Sequence, residues 1–276
     1  MKKKRRKTGQ ALCLNAAFFG YYAHAGFVDG LESIGFAPDA VTGSSAGALV
    51  GALYSAGVEM NETLRLMSAL RKKDFWEGNF ATHLLKPFLR GWKNYTGLLS
   101  GSRIRKLLEP YLGGLQFEDL KTRLGIAVSN ITRGERELRT SGSVLESVMC
   151  SMAFPILMEI QPMDGHHFLD GGVVDAEPIK ELILDPEIKK IVIHSIETVR
   201  EEEVKSPLIR AFHSSVSIIE RETRDLKEII AKERRKKIIR LVTITPALGP
   251  DRTHLGKNAI EAGRATALAN RKRILG

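Results

Sequence analysis

Two cysteines in 276 residues, Cys13 and Cys150, are too few for a disulfide framework. Both lie in apolar stretches and read as small buried residues. No apolar run reaches the roughly 18 residues that a membrane span needs. The first residues, Met1-Lys2-Lys3-Lys4-Arg5-Arg6-Lys7, lack the apolar segment of a secretory signal. Export is therefore not expected, and a cytoplasmic or membrane-peripheral location is. Zinc-ligand spacing, RNA-binding aromatic motifs and a recognition-helix pattern are all missing, so no metal site and no specific nucleic-acid partner are expected. Without internal repeats or low-complexity linkers, one domain over residues 10–276 is more economical than two.

The composition, 43% apolar and 27% charged, is that of a globular protein with a substantial core. The formal charge is +10. Six of the positive charges fill residues 2–7, and residues 1–9 read as a weakly ordered basic tail. Further basic clusters run from Lys232 to Arg240 and through Arg271-Lys272-Arg273. Such clusters favour peripheral contact with anionic membrane, at about 1 kcal/mol per well-placed basic residue.

Strand-like and helix-like patterns alternate along the chain. Buried strands are expected at 10–15, 40–42, 124–130, 136–140, 190–195 and 241–245. Helices are expected at 24–34, 48–56, from Asn61 as N-cap, from Ser102 as N-cap, at 144–152, 178–184 and from about Asn258. A long helix carries Val216, Ile219, Leu226, Ile229 and Ile230 on one face and charges on the other. Met158–Ile160 and His167–Leu169 bracket Met163-Asp164-Gly165 as a hairpin. This order predicts an α/β fold with a mostly parallel central sheet flanked by helices. Between residues 75 and 100 the pattern loosens into an apolar excursion rich in Phe, Leu and Trp.

The strongest local signal is Gly43-Ser44-Ser45-Ala46-Gly47, set between the strand at 40–42 and a small-residue helix. That is the context of a nucleophile elbow, in which Ser45 projects from a sharp strand-to-helix turn. The flanking glycines, Gly43 and Gly47, leave room that a Cβ would fill. A serine nucleophile needs a base. None of the seven histidines, at 24, 83, 166, 167, 194, 213 and 254, occupies an unmistakable triad position. Asp170, carried by a hairpin into the turn Gly171-Gly172, has the better context, although an Asp-Gly-Gly sequence also serves as a plain chain reversal. His24 reads as a structural histidine near the elbow, Asp175 as a support for the turn, and His166-His167 as sheet-edge histidines. Tyr21 and Tyr22 suit either the core or an acyl channel.

Taken together, these residues resemble the patatin-like phospholipases and acyl hydrolases. The resemblance rests on Gly43–Gly47 with Asp170-Gly171-Gly172, on Leu14–Gly26 including His24-Ala25-Gly26, and on Cys150–Pro155. It covers about residues 10–180 and implies a single patatin-like domain with a Ser-Asp dyad, Ser45 attacking and Asp170 accepting its proton. It also implies an oxyanion hole of backbone N–H groups from Ala17, Phe18 and Ala46, with no cofactor. The family's usual triple glycine is replaced here by Ala16, Ala17 and Phe18. Gly20, expected to lend the loop flexibility, stands where a basic residue is usual. The implied substrates are lipid or other acyl esters, phospholipids or lysophospholipids first. Acyl transfer on the same fold, and a catalytically weak lipid- or protein-binding module, are the alternatives.

Overall fold

A computed structural model describes residues 8–75, 96–198 and 207–276. The basic residues 1–7 and most of the apolar excursion, residues 76–95, lie outside the described residues.

Three elements open the chain. Strand β1 (Gln10–Leu14) is followed by helix α1 (Tyr21–Ser33) and strand β2 (Ala40–Ser44). Helices α2 (Ala46–Ala56), α3 (Met60–Ala69) and α4 (Lys72–Phe75) come next. A short strand β3 (Gly97–Leu99) leads into α5 (Ser102–Leu112), β4 (Arg123–Asn130), β5 (Glu135–Arg139) and α6 (Val144–Ser151). Strands β6 (Ile156–Met158), β7 (Gln161–Met163) and β8 (His166–Asp170) precede α7 (Lys180–Leu184) and β9 (Lys190–Thr198). The chain closes with α8 (Pro207–Glu233), β10 (Lys237–Thr245), α9 (Gly256–Ala269) and α10 (Arg271–Leu275).

The main sheet has eight strands in the order β10-β9-β1-β2-β4-β8-β7, with β5 on the other edge of β4. The five strands β10, β9, β1, β2 and β4 are parallel. Strands β5, β8 and β7 join antiparallel. The sheet is thus mixed, which corrects the mostly parallel expectation. Short turns join β4 to β5 and β7 to β8, and so short a connection can only reverse the chain. Asp164 (φ 51°) and Gly165 (φ 76°) make the β7–β8 turn, an Asp-Gly pair with both φ positive as such hairpins need. The hairpin is shifted from its expected frame, because Met158 pairs instead with Leu99 in a separate two-stranded sheet.

Strands β1, β2 and β9 are buried along most of their lengths, as expected where helices cover both faces. Helix α2 is apolar on nearly all sides and lies inside the core, ending at Gly57 in the left-handed conformation (φ 76°). Helix α9 crosses α1 at backbone contact. A Cβ on Gly26 would overlap the Ile260 carbonyl, and one on Gly263 would overlap the Ala23 carbonyl. Tyr21 and Tyr22 are buried core residues, Tyr22 donating to the Leu70 carbonyl at 3.3 Å.

Several local expectations differ from the structure. Helix α1 starts at Tyr21, three residues early, because Gly20 already has helical dihedrals (φ −69°, ψ −10°). Glu59, not Asn61, caps α3, and Gly101, not Ser102, caps α5. Helix α8 packs in an unusual way. Ile219, Leu226, Ile229 and Ile230 are exposed, whereas Arg224 and Lys227 turn inward. Over its described side chains, from residue 218 onward, this amphipathic helix therefore packs through its polar side.

Candidate active site

Strand β2 ends at Ser44 and α2 begins at Ala46, so Ser45 makes the turn alone, with φ 53° and ψ −118°. A non-glycine residue at positive φ is strained and is held only where its surroundings enforce it. Here the enforcement is packing on both sides. A Cβ on Gly43 would strike the backbone of Gly47, and one on Gly47 would overlap the carbonyl of Leu14 at the end of β1. Strand, turn and helix are pressed together with space for hydrogens only. The Ser45 N–H donates to Ser151 Oγ at 2.9 Å, and that hydroxyl donates to the Ala127 carbonyl at 2.7 Å.

Strand β4 brings in the distant carboxylate. Ser44 pairs with Ala127 in the parallel register of β2 with β4. Asp170 pairs with Val128, the next residue along, in the antiparallel register of β8 with β4. Because β5 occupies the opposite edge from Ile126 to Asn130, β2 and β8 share one edge of β4. They run head-on and stop at adjacent rungs, so the ends carrying Ser45 and Asp170 meet. The Ser45 hydroxyl donates to Asp170 Oδ2 at 2.6 Å.

Asp170 is fixed at each polar atom. Its N–H donates to the Ala153 carbonyl at 2.9 Å, and its own carbonyl accepts from Ser129 Oγ at 2.7 Å. Oδ1 accepts from the Gly172 N–H at 2.7 Å. Gly171 is a close-approach glycine, since a Cβ there would overlap the Ala127 carbonyl. Only 3% of Asp170 is exposed. Burial lifts its carboxyl from 3.8 to about 7, outweighing the hydrogen bonds from Ser45 and Gly172 that favour the charged form. A carboxylate in this range can take a proton near neutral pH.

The loop after β1 lies against the Asp170 turn. A Cβ on Gly172 would meet the Ala16 methyl at 2.6 Å. Among the described residues, the N–H groups of Ala17, Phe18 and Ala46 have no acceptor in the protein. Ala46 occupies the first position of α2, where an N–H has no intrahelical partner. Phe19, with φ 53°, takes the left-handed conformation in this loop. The missing Cβ of Gly20 makes room for Ala17 and Ile196. Phe18 is 55% exposed, its ring 6.1 Å from that of Phe154 at the rim.

Two buried networks brace the site. The Asp175 N–H donates to the Gly171 carbonyl at 2.8 Å. Its carboxylate pairs with Arg136 at 2.6 Å and Lys227 at 2.5 Å, tying the turn to β5 and α8. His24 is fully buried, with Nε2 2.9 Å from the Asn15 carbonyl and Nδ1 2.8 Å from His194 Nδ1. Since Asn15 offers only an acceptor, His24 donates from Nε2 and accepts at Nδ1 from His194. Burial lowers His24 to about 4 and His194 well below its ordinary value, so both are neutral at pH 7. His194 Nε2 lies 2.8 Å from Thr243 Oγ1. His24 thereby pins the residue from which the Ala16–Phe18 loop departs. Burial pushes the Cys13 and Cys150 thiols up, so neither is a ready nucleophile.

Sequence reasoning met Ser151 only within Cys150–Pro155 and His194 only among the seven histidines, and gave neither a role. Neither carries a local signal, because each acquires its role from a strand or helix far away in the chain. His166 and His167 stand on β8, and no group of three or more metal-ligating side chains occurs among the described residues.

The site thus joins a strained serine elbow at the end of a sheet strand to a buried carboxylate through one hydrogen bond. Residues 12–183 match the family model described as patatin-like phospholipase, and the chain belongs to that family. It is 30% identical over 158 residues to "Neuropathy target esterase sws" of Drosophila melanogaster, a match covering 56% of this chain and 11% of the relative. The protein of that name from Drosophila virilis gives 30% identity over 158 residues, with 10% of its length covered. The chain thus spans about a tenth of these curated relatives. Among solved structures, VipD from Legionella pneumophila aligns with a TM-score of 0.57 and 15% identity, over 96% of this chain and 67% of that one. This last likeness is one of fold.

Proposed function

We propose that the protein is a serine acyl hydrolase that cleaves carboxylic esters of lipids, phospholipids or lysophospholipids above all, through an acyl-enzyme. The observation that carries this reading is the 2.6 Å hydrogen bond from the Ser45 hydroxyl to Asp170, formed at a single-residue elbow. Membership of the patatin-like family supports a hydrolase, and the word esterase in the names of the insect relatives agrees with it.

In the first half-reaction Ser45 Oγ attacks the ester carbonyl while Asp170 Oδ2 takes its proton. The carbonyl oxygen gains negative charge, which the free N–H groups of Ala46, Ala17 and Phe18 stabilise. One such donor is worth about 2.7–4 kcal/mol in a transition state. Protonated Asp170 then gives its proton to the departing alcohol. In the second half-reaction water takes the place of the alcohol: Asp170 removes a proton from it, the water attacks the acyl carbon, and the proton returns to Ser45. Every step uses side chains and amides of this chain. Ser151 holds the Ser45 backbone in place, and the exposed Phe18 ring offers an apolar contact for the acyl chain.

Among the described residues no helix is long and apolar enough to cross a membrane. A peripheral approach to anionic lipid, driven by the net charge of +10, fits such substrates. The test is a panel of acyl esters with wild type, Ser45→Ala and Asp170→Asn, together with labelling by a serine-directed fluorophosphonate. Hydrolysis and labelling by wild type, both lost in folded Ser45→Ala, are expected. Undiminished turnover by Ser45→Ala would reject the proposal.

A further inference from the structure

The sheet changes direction at β1. From there the chain builds β2 and β4 to one side, then returns to add β9 and β10 on the other. In open α/β sheets, ligands bind in the crevice outside the strand ends at such a reversal. Here that crevice is a cavity of about 350 Å³ whose walls include Asn15, Ala16, Val173, Glu177, Arg224 and Val242. Ala16 and Val173 belong to the two segments that flank the Ser45–Asp170 pair, the loop after β1 and the turn after Asp170. The cavity therefore adjoins the site without containing it.

Three observations mark it as a place for a polar group. First, buried polar atoms almost always find partners. Yet Asn15 Oδ1, Glu177 Oε2 and Arg224 Nε, all from its wall, have no hydrogen-bond partner. Asn15 is 9% and Glu177 6% exposed, so water reaches neither side chain freely. Arg224 has one long ion pair, 3.9 Å from Glu177 Oε1. Second, α8 lines this cavity mostly with polar side chains, Arg224 and Lys227 among them and Ile219 at its edge, and leaves Leu226, Ile229 and Ile230 in solvent, the reverse of an ordinary amphipathic helix. Departures of that kind concentrate at functional sites. Third, the unsatisfied set holds a cationic donor and two acceptors, which together suit an anion that also carries hydroxyls.

We infer that this cavity receives the leaving-alcohol half of the ester, and that the alcohol is phosphorylated and hydroxyl-bearing, of the glycerol phosphate kind. The phosphoryl oxygens accept from Arg224, while free hydroxyls donate to Glu177 Oε2 and Asn15 Oδ1. This assignment rests on the hydrolase reading above and adds its specificity.

The test uses three esters with one acyl chain: the 1-acylglycerol 3-phosphate, the monoacylglycerol and the p-nitrophenyl ester. The wild type is compared with Arg224→Gln and with Val242→Trp, which fills the cavity from β10. Arg224→Gln is expected to lower the kcat/KM ratio of phosphorylated to p-nitrophenyl ester at least about tenfold, and the ratio of monoacylglycerol to p-nitrophenyl ester much less. Val242→Trp is expected to lower both ratios. Unchanged ratios in both variants, with turnover still dependent on Ser45, would overturn the cavity assignment and leave the hydrolase standing. Absence of Ser45-dependent turnover of all three esters by wild type would overturn the hydrolase reading itself.

Discussion

Replacing Asp170 with asparagine should move stability and activity in opposite directions, each with its own pH dependence. The asparagine is nearly isosteric. Its oxygen can accept from the Gly172 N–H, and its NH2 can donate to Ser45 Oγ. What changes is the proton. Burial raises the Asp170 carboxyl from 3.8 to about 7. The folded state therefore binds a proton that the unfolded state has released between those values. Stability from this group is complete below pH 3.8 and is lost as pH rises through about 7. Three units amount to about 4 kcal/mol above pH 7. Asparagine has no such dependence, so the stability of Asp170→Asn relative to wild type should grow by about 3 kcal/mol between pH 5 and pH 8. His24 and His194, with lowered values, tilt the absolute curves the other way, but they are common to both proteins and cancel in the difference. Urea unfolding of both proteins at the two pH values measures it. In parallel, wild-type kcat/KM on a lipid ester should rise through about pH 7 and then level, while Asp170→Asn stays inactive. A relative stability that does not change with pH, or a wild-type rate flat from pH 5 to 8, would refute the argument that a buried, neutral-range carboxyl is the base.

Other expectations test the framework around the pair. Ser151→Ala strands both the Ser45 N–H and the Ala127 carbonyl. It should cost about 1–3 kcal/mol in denaturant unfolding and lower kcat more than it raises KM, because the elbow backbone loses its tether. Gly47→Ala places a methyl on the Leu14 carbonyl and should destabilise by about 3 kcal/mol or more, seen as a lowered Tm or lost soluble expression; a Tm near wild type would show that the elbow packs more loosely. His24→Ala removes the bonds to Asn15 and His194. It should cost about 3 kcal/mol at pH 7 and less as pH falls from 6.5 towards 4, because the wild-type residue, whose value is lowered to about 4, loses its own contribution over that window. Unfolding curves at pH 7 and pH 5 for wild type and variant check both parts.

Much of the site was legible before any coordinates because its parts are local. Gly43, Ser45 and Gly47 specify their own turn, since the chain can bend so sharply only where Cβ atoms are missing on both sides. Asp164-Gly165 specifies a hairpin through its positive φ values. Helix caps were less legible: Glu59 rather than Asn61, and Gly101 rather than Ser102, begin their helices, because several neighbouring residues could cap and packing chose among them. The apolar periodicity of α8 is real, yet it does not say which side of the helix meets the sheet. Residues 76–95 and the basic residues 1–7 lie outside what the structure describes.

By itself, then, the sequence determined the elbow, the Asp-Gly-Gly turn, the α/β alternation and the family. All of these are written in spans of a few residues or in the order of elements. Only the tertiary structure decided that β2 and β8 meet end to end on one edge of β4, that Ser151 reaches the Ser45 backbone, and that the polar side of α8 encloses a cavity beside Ala16. Those facts depend on strand register and helix rotation between segments far apart in the chain. Shifting β8 by one rung along β4 would turn Asp170 to the other face of the sheet with every local pattern intact.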